Sequence, residues 1–216
     1  MILSEIKYTS EQSKFLQYLA EIGGVLQTVI LKIDGLPDDV YSISKMAAKK
    51  GMEILAVEAK DRGYLNTWSI VKEDLVGTEI NFKDFIGEGY DFENRKMNLF
   101  SYNYDAKVIY SEVERGFAKA LLVPPHSLHS KNQAEFASIA YEEIENLFLT
   151  ETLESYLKII LQAHNNFNPN DLKIISWSDN WSTYFNDGKE WWGTFCWTVY
   201  DSRNNTVVFI AASSTD

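Results

Sequence analysis

In the first 60 residues, segments whose apolar positions recur with a helical period are followed by continuous apolar runs rich in residues that favour strands. The first predicted helix begins after the capping residue Thr9 and ends at the glycine pair Gly23-Gly24. Residues 25–33 are apolar and rich in β-branched side chains, which is typical of a strand. A second predicted helix ends at Gly51, and residues 52–59 follow as a second strand. This order predicts a βαβ unit near the N-terminus, in which the two strands are parallel.

The middle of the chain has a weaker pattern. Residues 64–72 alternate like a strand and predict a hairpin with the strand before them. Residues 73–104 contain many aromatic side chains without a clean period, which predicts short helical turns and packed loops. Residues 107–113 and 117–123 predict a second hairpin, because the turn sequence Glu114-Arg115-Gly116 separates them.

The C-terminal part begins with a helical pattern and ends with strands. Residues 132–164 are predicted to be helical, and their apolar stripe shifts between Leu149 and Thr152, which predicts a kink or two helices. Three strands follow, and the last is apolar on both faces, so we expect a layer on each side of it. These strands cover residues 172–178, 190–201 and 206–213.

Together the elements predict an α+β fold. We expect mixed, mainly antiparallel sheets with helices packed on them, a βαβ unit at the N-terminal end and a C-terminal antiparallel meander of three strands. No linker rich in glycine, serine or proline divides the 216 residues. A single domain over residues 1–216 is therefore predicted, and a boundary near residue 124, at a pair of prolines, is the weaker alternative.

Charge and composition narrow the classes of function. The formal net charge of −11 disfavours nucleic acid and anionic membranes as partners and favours a basic protein. The single cysteine fits a reducing compartment, and we expect neither a signal peptide nor a membrane span. The pattern therefore predicts a soluble cytoplasmic protein and leaves its oligomeric state open.

Tryptophan is concentrated near the C-terminus, where five of the six tryptophans lie between Trp177 and Trp197. Aromatic side chains beside polar groups can form a ligand platform or a protein interface. Strand alternation predicts that Trp191 and Trp197 are in the core, whereas Trp181 and Trp192 are freer. The candidate binding residues of this cluster are Trp177, Asp179, Trp181, Tyr184, Glu190 and Trp192.

Side chains with catalytic or metal-binding chemistry are few. His126 and His129 follow a predicted strand end and are further binding candidates, but two histidines are fewer than the three protein ligands of a catalytic zinc. We therefore predict no metal and no cofactor. Cys196 lies in the middle of a predicted strand, where a buried thiol is unreactive. No motif for nucleophilic catalysis or phosphate binding is present, so no catalytic residue is assigned.

Two hypotheses of function follow. The first is a non-enzymatic binding protein that engages a protein partner through an acidic, tryptophan-rich surface, for example as the inhibitor or immunity-type partner of a basic toxin. The second is a small-molecule-binding protein or a hydrolase-like enzyme. Its pocket would be lined by tryptophans and Tyr184, with Asp179, Glu190 or His126 as acid–base groups. The lack of catalytic motifs favours the first hypothesis.

Overall fold

The computed structural model describes most of the chain. The described residues are 2–35, 37, 39–63, 68–71, 75–87, 89–98, 100–103, 108–111, 116–122, 124, 139–163, 168, 171–190 and 192–214. They form an α+β protein with helices and a mainly antiparallel six-stranded sheet, which confirms the predicted fold class.

Contacts between residues divide the chain into two compact units. The sheet unit consists of residues 1–9, 26–82 and 166–215. The helical unit consists of residues 10–25 and 83–165, together with residue 216. One domain over residues 1–216 stays a prediction, as does the alternative boundary near residue 124.

Within its described residues, the sheet unit contains six strands and one long helix. In order across the sheet, the strands are β1 (Ile2–Glu5), β2 (Gln27–Asp34), β10 (Thr206–Ser213), β9 (Thr194–Asp201), β8 (Leu172–Trp177) and β3 (Gly77–Ile80). Every pairing in this sheet is antiparallel.

The strands β8, β9 and β10 form the predicted C-terminal meander. Phe209 of β10 lies opposite Val29 of β2 on one side and Thr198 of β9 on the other. Residues 207–212 are all buried, as the apolar pattern on both faces predicts. β9 begins later than predicted because Asp187–Glu190 forms a 3₁₀ turn before it.

The helix α2 (Val40–Asp61) packs on one face of the sheet. The carboxylate of Asp39 caps its start by accepting hydrogen bonds from the backbone N–H groups of Tyr41 at 3.0 Å and Ser42 at 3.2 Å. Buried residues of the helix then join buried residues of β2, β9 and β10 in one apolar core. On the helix side these include Ile43, Ala47, Met52 and Leu55.

Residues 52–59 belong to α2, so the predicted second strand and the predicted βαβ unit are wrong. Gly51 does not end the helix. It is buried within it, at a position where a Cβ atom would overlap the ring of Phe209. The glycine therefore serves close packing of helix on sheet. Residues 52–59 consist largely of methionine, glutamate, leucine and alanine, which favour helices.

The edge strands β1 and β3 have no pattern strong enough to predict them. Both contain only four residues, and their side chains are exposed or half-buried. β3 lies within residues 73–104, where turns and loops were expected. Of the predicted strand at residues 64–72, residues 64–67 and 72 lie outside the described residues. Ile70 forms an isolated antiparallel bridge with Ser182, so the predicted hairpin with residues 52–59 is wrong.

The helical unit contains four helices and two small hairpins among its described residues. The helices are α1 (Ser10–Glu21), α3 (Phe82–Ile86, whose first residue is assigned to the sheet unit), α4 (Phe117–Leu122) and α5 (Ile139–Ile159). The hairpins pair β4 (Tyr90–Asp91) with β5 (Lys96–Met97) and β6 (Phe100–Asn103) with β7 (Val108–Ser111).

Aromatic rings form much of the core of the helical unit. Phe117 of α4 stacks on Phe85 of α3 with ring centroids 4.7 Å apart, and it contacts Tyr156 of α5 at 4.8 Å. α1 reaches the same core through Phe15, whose ring lies 6.3 Å from that of Tyr156. The four helices α1, α3, α4 and α5 are thus joined by one set of aromatic contacts.

α1 confirms the first predicted helix. It begins after Thr9 and ends at Glu21. The backbone N–H of Gly24 donates to the carbonyl of Leu19 at 2.8 Å, and Gly23 has a φ of 89°. The glycine pair therefore ends the helix in the left-handed conformation that glycine adopts without strain.

α4 and α5 correct two further predictions. Residues 117–122 form a helix instead of a hairpin strand, because alanine, lysine and leucine favour helix here and Gly116, with a φ of 92°, turns the chain before it. α5 runs without interruption through Leu149 and Thr152, so the predicted kink is wrong. The Thr152 hydroxyl donates to the carbonyl of Phe148 at 3.0 Å, which satisfies it within the helix.

The predicted helix over residues 132–164 is confirmed for residues 139–159 and wrong for residues 160–163, which are not helical. Residues 132–138 and 164 lie outside the described residues. Leu147 belongs to the predicted apolar stripe but is 61% exposed. Leu153 and Tyr156 are buried as predicted. No described helix is both long and apolar enough to cross a membrane.

Candidate functional site

The tryptophan-rich segment connects β8 to β9 through two short 3₁₀ turns. These turns are Thr183–Phe185 and Asp187–Glu190. The hydroxyl of Ser182 caps the first turn by accepting a hydrogen bond from the N–H of Tyr184 at 3.2 Å. The first turn carries Tyr184 and Phe185 into the core, whereas the second remains largely exposed.

Trp177, Trp181 and Tyr184 are core residues, with exposed fractions of 5%, 0% and 7%. The indole N–H of Trp177 donates to the hydroxyl of Thr198 on the neighbouring strand at 2.9 Å. Trp181 packs against Phe185, with ring centroids 5.9 Å apart. The prediction that Trp181 is one of the freer tryptophans is therefore wrong, because the turn that follows it places both rings in the apolar core.

Burial disfavours ionisation of the Tyr184 phenol and the Cys196 thiol. Burial raises the pKa of the Tyr184 phenol far above its ordinary value, and the nearby Cys196 adds to this effect. Burial likewise raises the pKa of the Cys196 thiol well above its usual range, with a smaller contribution from the charge of Asp179. Both groups are therefore protonated at neutral pH, and Cys196 is not a nucleophile.

Asp179 and Trp192 lie on different sides of β9. The carboxylate of Asp179 accepts a hydrogen bond from the hydroxyl of Thr194 at 2.6 Å. The ring of Trp192 makes an edge contact with Phe195, with ring centroids 5.0 Å apart. Because side chains alternate along a strand, Thr194 and Phe195 point to opposite faces. These two candidate residues therefore do not form one site.

Trp192 is half-buried two residues before β9 and adjoins a row of aromatic rings. Its neighbour Phe195 stacks on Trp197, with centroids 5.4 Å apart and 27° between the ring planes. Trp197 is 5% exposed, which confirms its predicted place in the core. Trp191, the other predicted core tryptophan, lies outside the described residues. The row of rings therefore extends from the buried Trp197 through Phe195 to the half-buried Trp192.

Two glycines determine the shape of the turn that carries Trp192. The N–H of Gly193 donates to the carbonyl of Gly188 at 2.9 Å, and the N–H of Gly188 donates to the hydroxyl of Ser213 at 3.1 Å. A Cβ atom at Gly188 would lie 2.5 Å from the carbonyl oxygen of Gly193, and Gly193 has a φ of 123°. Larger residues are therefore strained at both positions.

Residues 187–190, 192 and 193, here called the Trp192 turn, present a large ring beside charged groups. Asp187, Lys189 and Glu190 are exposed on this turn, and Trp192 is half-buried. An aromatic ring with charges beside it suits recognition of another molecule. Of the candidate residues in the sequence, only Glu190 and Trp192 belong to this turn.

Sequence reasoning missed Phe195 and the two glycines as parts of the site. Phe195 is half-buried and supports Trp192, and it was not identified as a candidate residue from the sequence. The sequence feature that could have indicated this turn is the pair of glycines Gly188 and Gly193 within an aromatic-rich segment. Glycines in such a segment indicate a close backbone approach.

The described residues give no metal centre. Within them, no three histidine, cysteine, aspartate or glutamate side chains are grouped so that they could hold a metal ion. His126 and His129 lie outside the described residues, so their role as binding residues stays a prediction.

No protein-family model matches the chain, and no curated protein matches it. The fold defines the protein as a member of the α+β class. Its function is therefore inferred from the physical features of the Trp192 turn.

Proposed function

We propose that this protein is a non-enzymatic binding protein that engages a basic protein partner through the Trp192 turn. The observation that carries the proposal is a half-buried tryptophan, supported by a row of rings and held by a turn of fixed shape. Tryptophan is enriched among the residues that contribute most to interfaces. An anchor that is already ordered loses little conformational entropy on binding.

Charge favours a basic partner. The chain has a formal net charge of −11, and two exposed carboxylates, Asp187 and Glu190, belong to the turn itself. Complementary charge increases the rate of encounter between proteins and helps to select the partner. An inhibitor or immunity-type protein that neutralises a basic toxin is one concrete form of this function.

The hypothesis of a tryptophan-lined pocket has less support. Trp177, Trp181 and Tyr184 are buried in the apolar core, so they cannot form the walls of an open pocket. The carboxylate of Asp179 is engaged by a hydroxyl at the start of β9. The segment therefore favours a binding protein over an enzyme.

Charge reversal on the turn tests the proposal. The immobilised wild-type protein is first used to capture and identify its partner. The partner is then purified, and the kinetics of its binding to the protein are measured at increasing salt concentration. The double change Asp187→Lys and Glu190→Lys is expected to lower the association rate by about tenfold. Trp192→Ala is expected mainly to raise the dissociation rate, by about tenfold or more.

The matched control reverses two exposed carboxylates of α2, Glu53→Lys and Asp61→Lys. This variant changes the net charge equally but leaves the turn intact, so most of the affinity should remain. Equal losses in both charge-reversal variants would show that only net charge matters. An unchanged dissociation rate with Trp192→Ala would rule out the tryptophan as the anchor.

A further inference from the structure

A cleft beside α5 is lined by side chains of both charge signs. Its volume is about 350 Å³, and its lining residues are Arg95, Glu151, Glu154, Ser155, Lys158 and Ala163. A volume of this size is at the lower end of the range for small-molecule sites. All six residues belong to the helical unit, so the cleft shares no residue with the Trp192 turn.

Glu154 fixes one wall of the cleft. Its carboxylate accepts a hydrogen bond from the hydroxyl of Tyr90 and another from the guanidinium of Arg95 at 2.5 Å. Burial and the hydrogen bond to Glu154 raise the pKa of Tyr90 to about 12, so this phenol remains a donor. The N–H of Met97 also donates to the hydroxyl of Thr150 at 2.7 Å. These contacts hold the β4–β5 hairpin against α5.

Because Glu154 neutralises Arg95, the remaining charges among the described residues that line the cleft are those of Glu151 and Lys158. Both side chains are exposed, and neither takes part in an ion pair within the described part of the chain. They are seven residues apart on α5, which corresponds to roughly 10 Å along the helix axis. The cleft therefore has a negative end and a positive end, and the half-buried Ser155 lies between them.

We propose that this cleft binds a small zwitterion whose charged groups are separated by a flexible chain, such as an ω-amino acid, with its ammonium group at Glu151 and its carboxylate at Lys158. The hydroxyl of Ser155 is placed to donate to the bound carboxylate. A ligand with a single charge leaves one end of the cleft unmatched and binds more weakly. The site is independent of the proposed protein-binding function.

A series of amino acids of increasing length tests the spacing between the two ends. Glycine, γ-aminobutyrate and ε-aminocaproate separate an ammonium from a carboxylate by increasing distances, and acetate and methylammonium are controls with one charge. Binding is measured by saturation-transfer NMR, because the helical unit contains no tryptophan to report by fluorescence. We expect saturable binding of at least one zwitterion and binding of the controls that is about tenfold weaker.

Glu151→Gln and Lys158→Gln are each expected to weaken binding of that zwitterion by about fivefold. α2 offers a matched control, because Glu53 and Lys60 are also exposed and seven residues apart. Glu53→Gln and Lys60→Gln remove the same charges at the same spacing and should leave binding unchanged. Equal weakening by the control variants, or no saturable binding of any zwitterion in the series, would overturn the proposal.

Discussion

Gly51 determines how closely α2 approaches the sheet. It is buried within the helix, and the ring of Phe209 occupies the space that a Cβ atom would need. A glycine in a helix interior is less favourable than alanine by roughly 1 kcal/mol. The closer contact between the helix and the apolar core compensates for this loss, because dispersion contacts depend steeply on distance.

Gly51→Ala is therefore expected to lower the free energy of unfolding by about 1–2 kcal/mol, since overpacking outweighs the gain in helix propensity. Urea unfolding of the purified variant measures the change. Adding Phe209→Leu to Gly51→Ala should restore part of the loss, because the smaller side chain makes room for the methyl group. A single variant more stable than the wild type would contradict close packing at Gly51.

Asp201 organises the turn between β9 and β10. It is 4% exposed, and its carboxylate accepts hydrogen bonds from the backbone and side chain of Arg203 at 2.8–2.9 Å and from the Asn204 amide at 2.8 Å. Burial opposes ionisation, but the bonds to Arg203 and Asn204 together outweigh it and lower the pKa of Asp201 below its ordinary value. The ionised carboxylate therefore stabilises the fold.

Asp201→Asn is expected to lower the free energy of unfolding at neutral pH by about 1–3 kcal/mol, because charge-assisted hydrogen bonds are lost. Since folding lowers the pKa of Asp201, its contribution is present above the unfolded pKa of about 4 and is lost as the pH falls below that value. Urea unfolding at several pH values should thus show the two proteins converging in acid. The exposed Asp187→Asn variant serves as a control, and a difference that persists in acid would contradict this account.

At the scale of elements, α5 is the central helix of the helical unit. It runs unbroken from Ile139 to Ile159, and α1, α4 and the strands β5 and β6 all contact it. The shift of its apolar stripe between Leu149 and Thr152 predicted a break. The shift instead reflects different neighbours along one helix, since the exposed Leu147 and the buried Leu153 lie on the same continuous element.

Glu151→Pro distinguishes one helix from two. Proline in a helix interior removes a hydrogen bond and clashes with the preceding turn, so we expect a loss of about 3 kcal/mol or more. Glu151→Ala, at the same exposed position, is expected to change stability by less than about 0.5 kcal/mol. The loss is measured by chemical unfolding followed by circular dichroism. If both variants were equally stable, the helix would have a natural break at this position.

At the scale of the whole molecule, neither unit is a continuous stretch of the chain. The assignment changes from one unit to the other after residues 9, 25, 82, 165 and 215. Each unit therefore needs segments that are distant in sequence. Each folded unit holds together the ends of chain segments that belong to the other unit. Unfolding of one unit releases these ends and so destabilises the other, which favours cooperative unfolding of the whole chain.

We therefore predict one unfolding transition for the whole chain. All six tryptophans and Cys196 lie in the sheet unit, so fluorescence and thiol labelling report on that unit, whereas circular dichroism reports on helices of both units. The urea midpoints of the three probes should coincide. A separate transition seen only by circular dichroism would show that the units unfold independently and would contradict the single predicted domain.

The candidate site was predictable only in part. An aromatic-rich segment before a strand is visible in the sequence, and it includes Glu190 and Trp192. Which indole is buried depends on the 3₁₀ turns, and local alternation does not describe turns of this kind. For this reason Trp181 was misplaced, and the supporting Phe195 was not recognised.

The sequence by itself determined the α+β class, α1 with its glycine end, β2 and the C-terminal meander, because in these elements a clear local period coincides with turn or cap residues. Only the tertiary structure decided that residues 52–59 are helical, that Gly51 is a packing position and that β1 and β3 extend the sheet. In those places the local pattern fits two conformations or none, and contacts between distant residues select the one that buries the apolar surface.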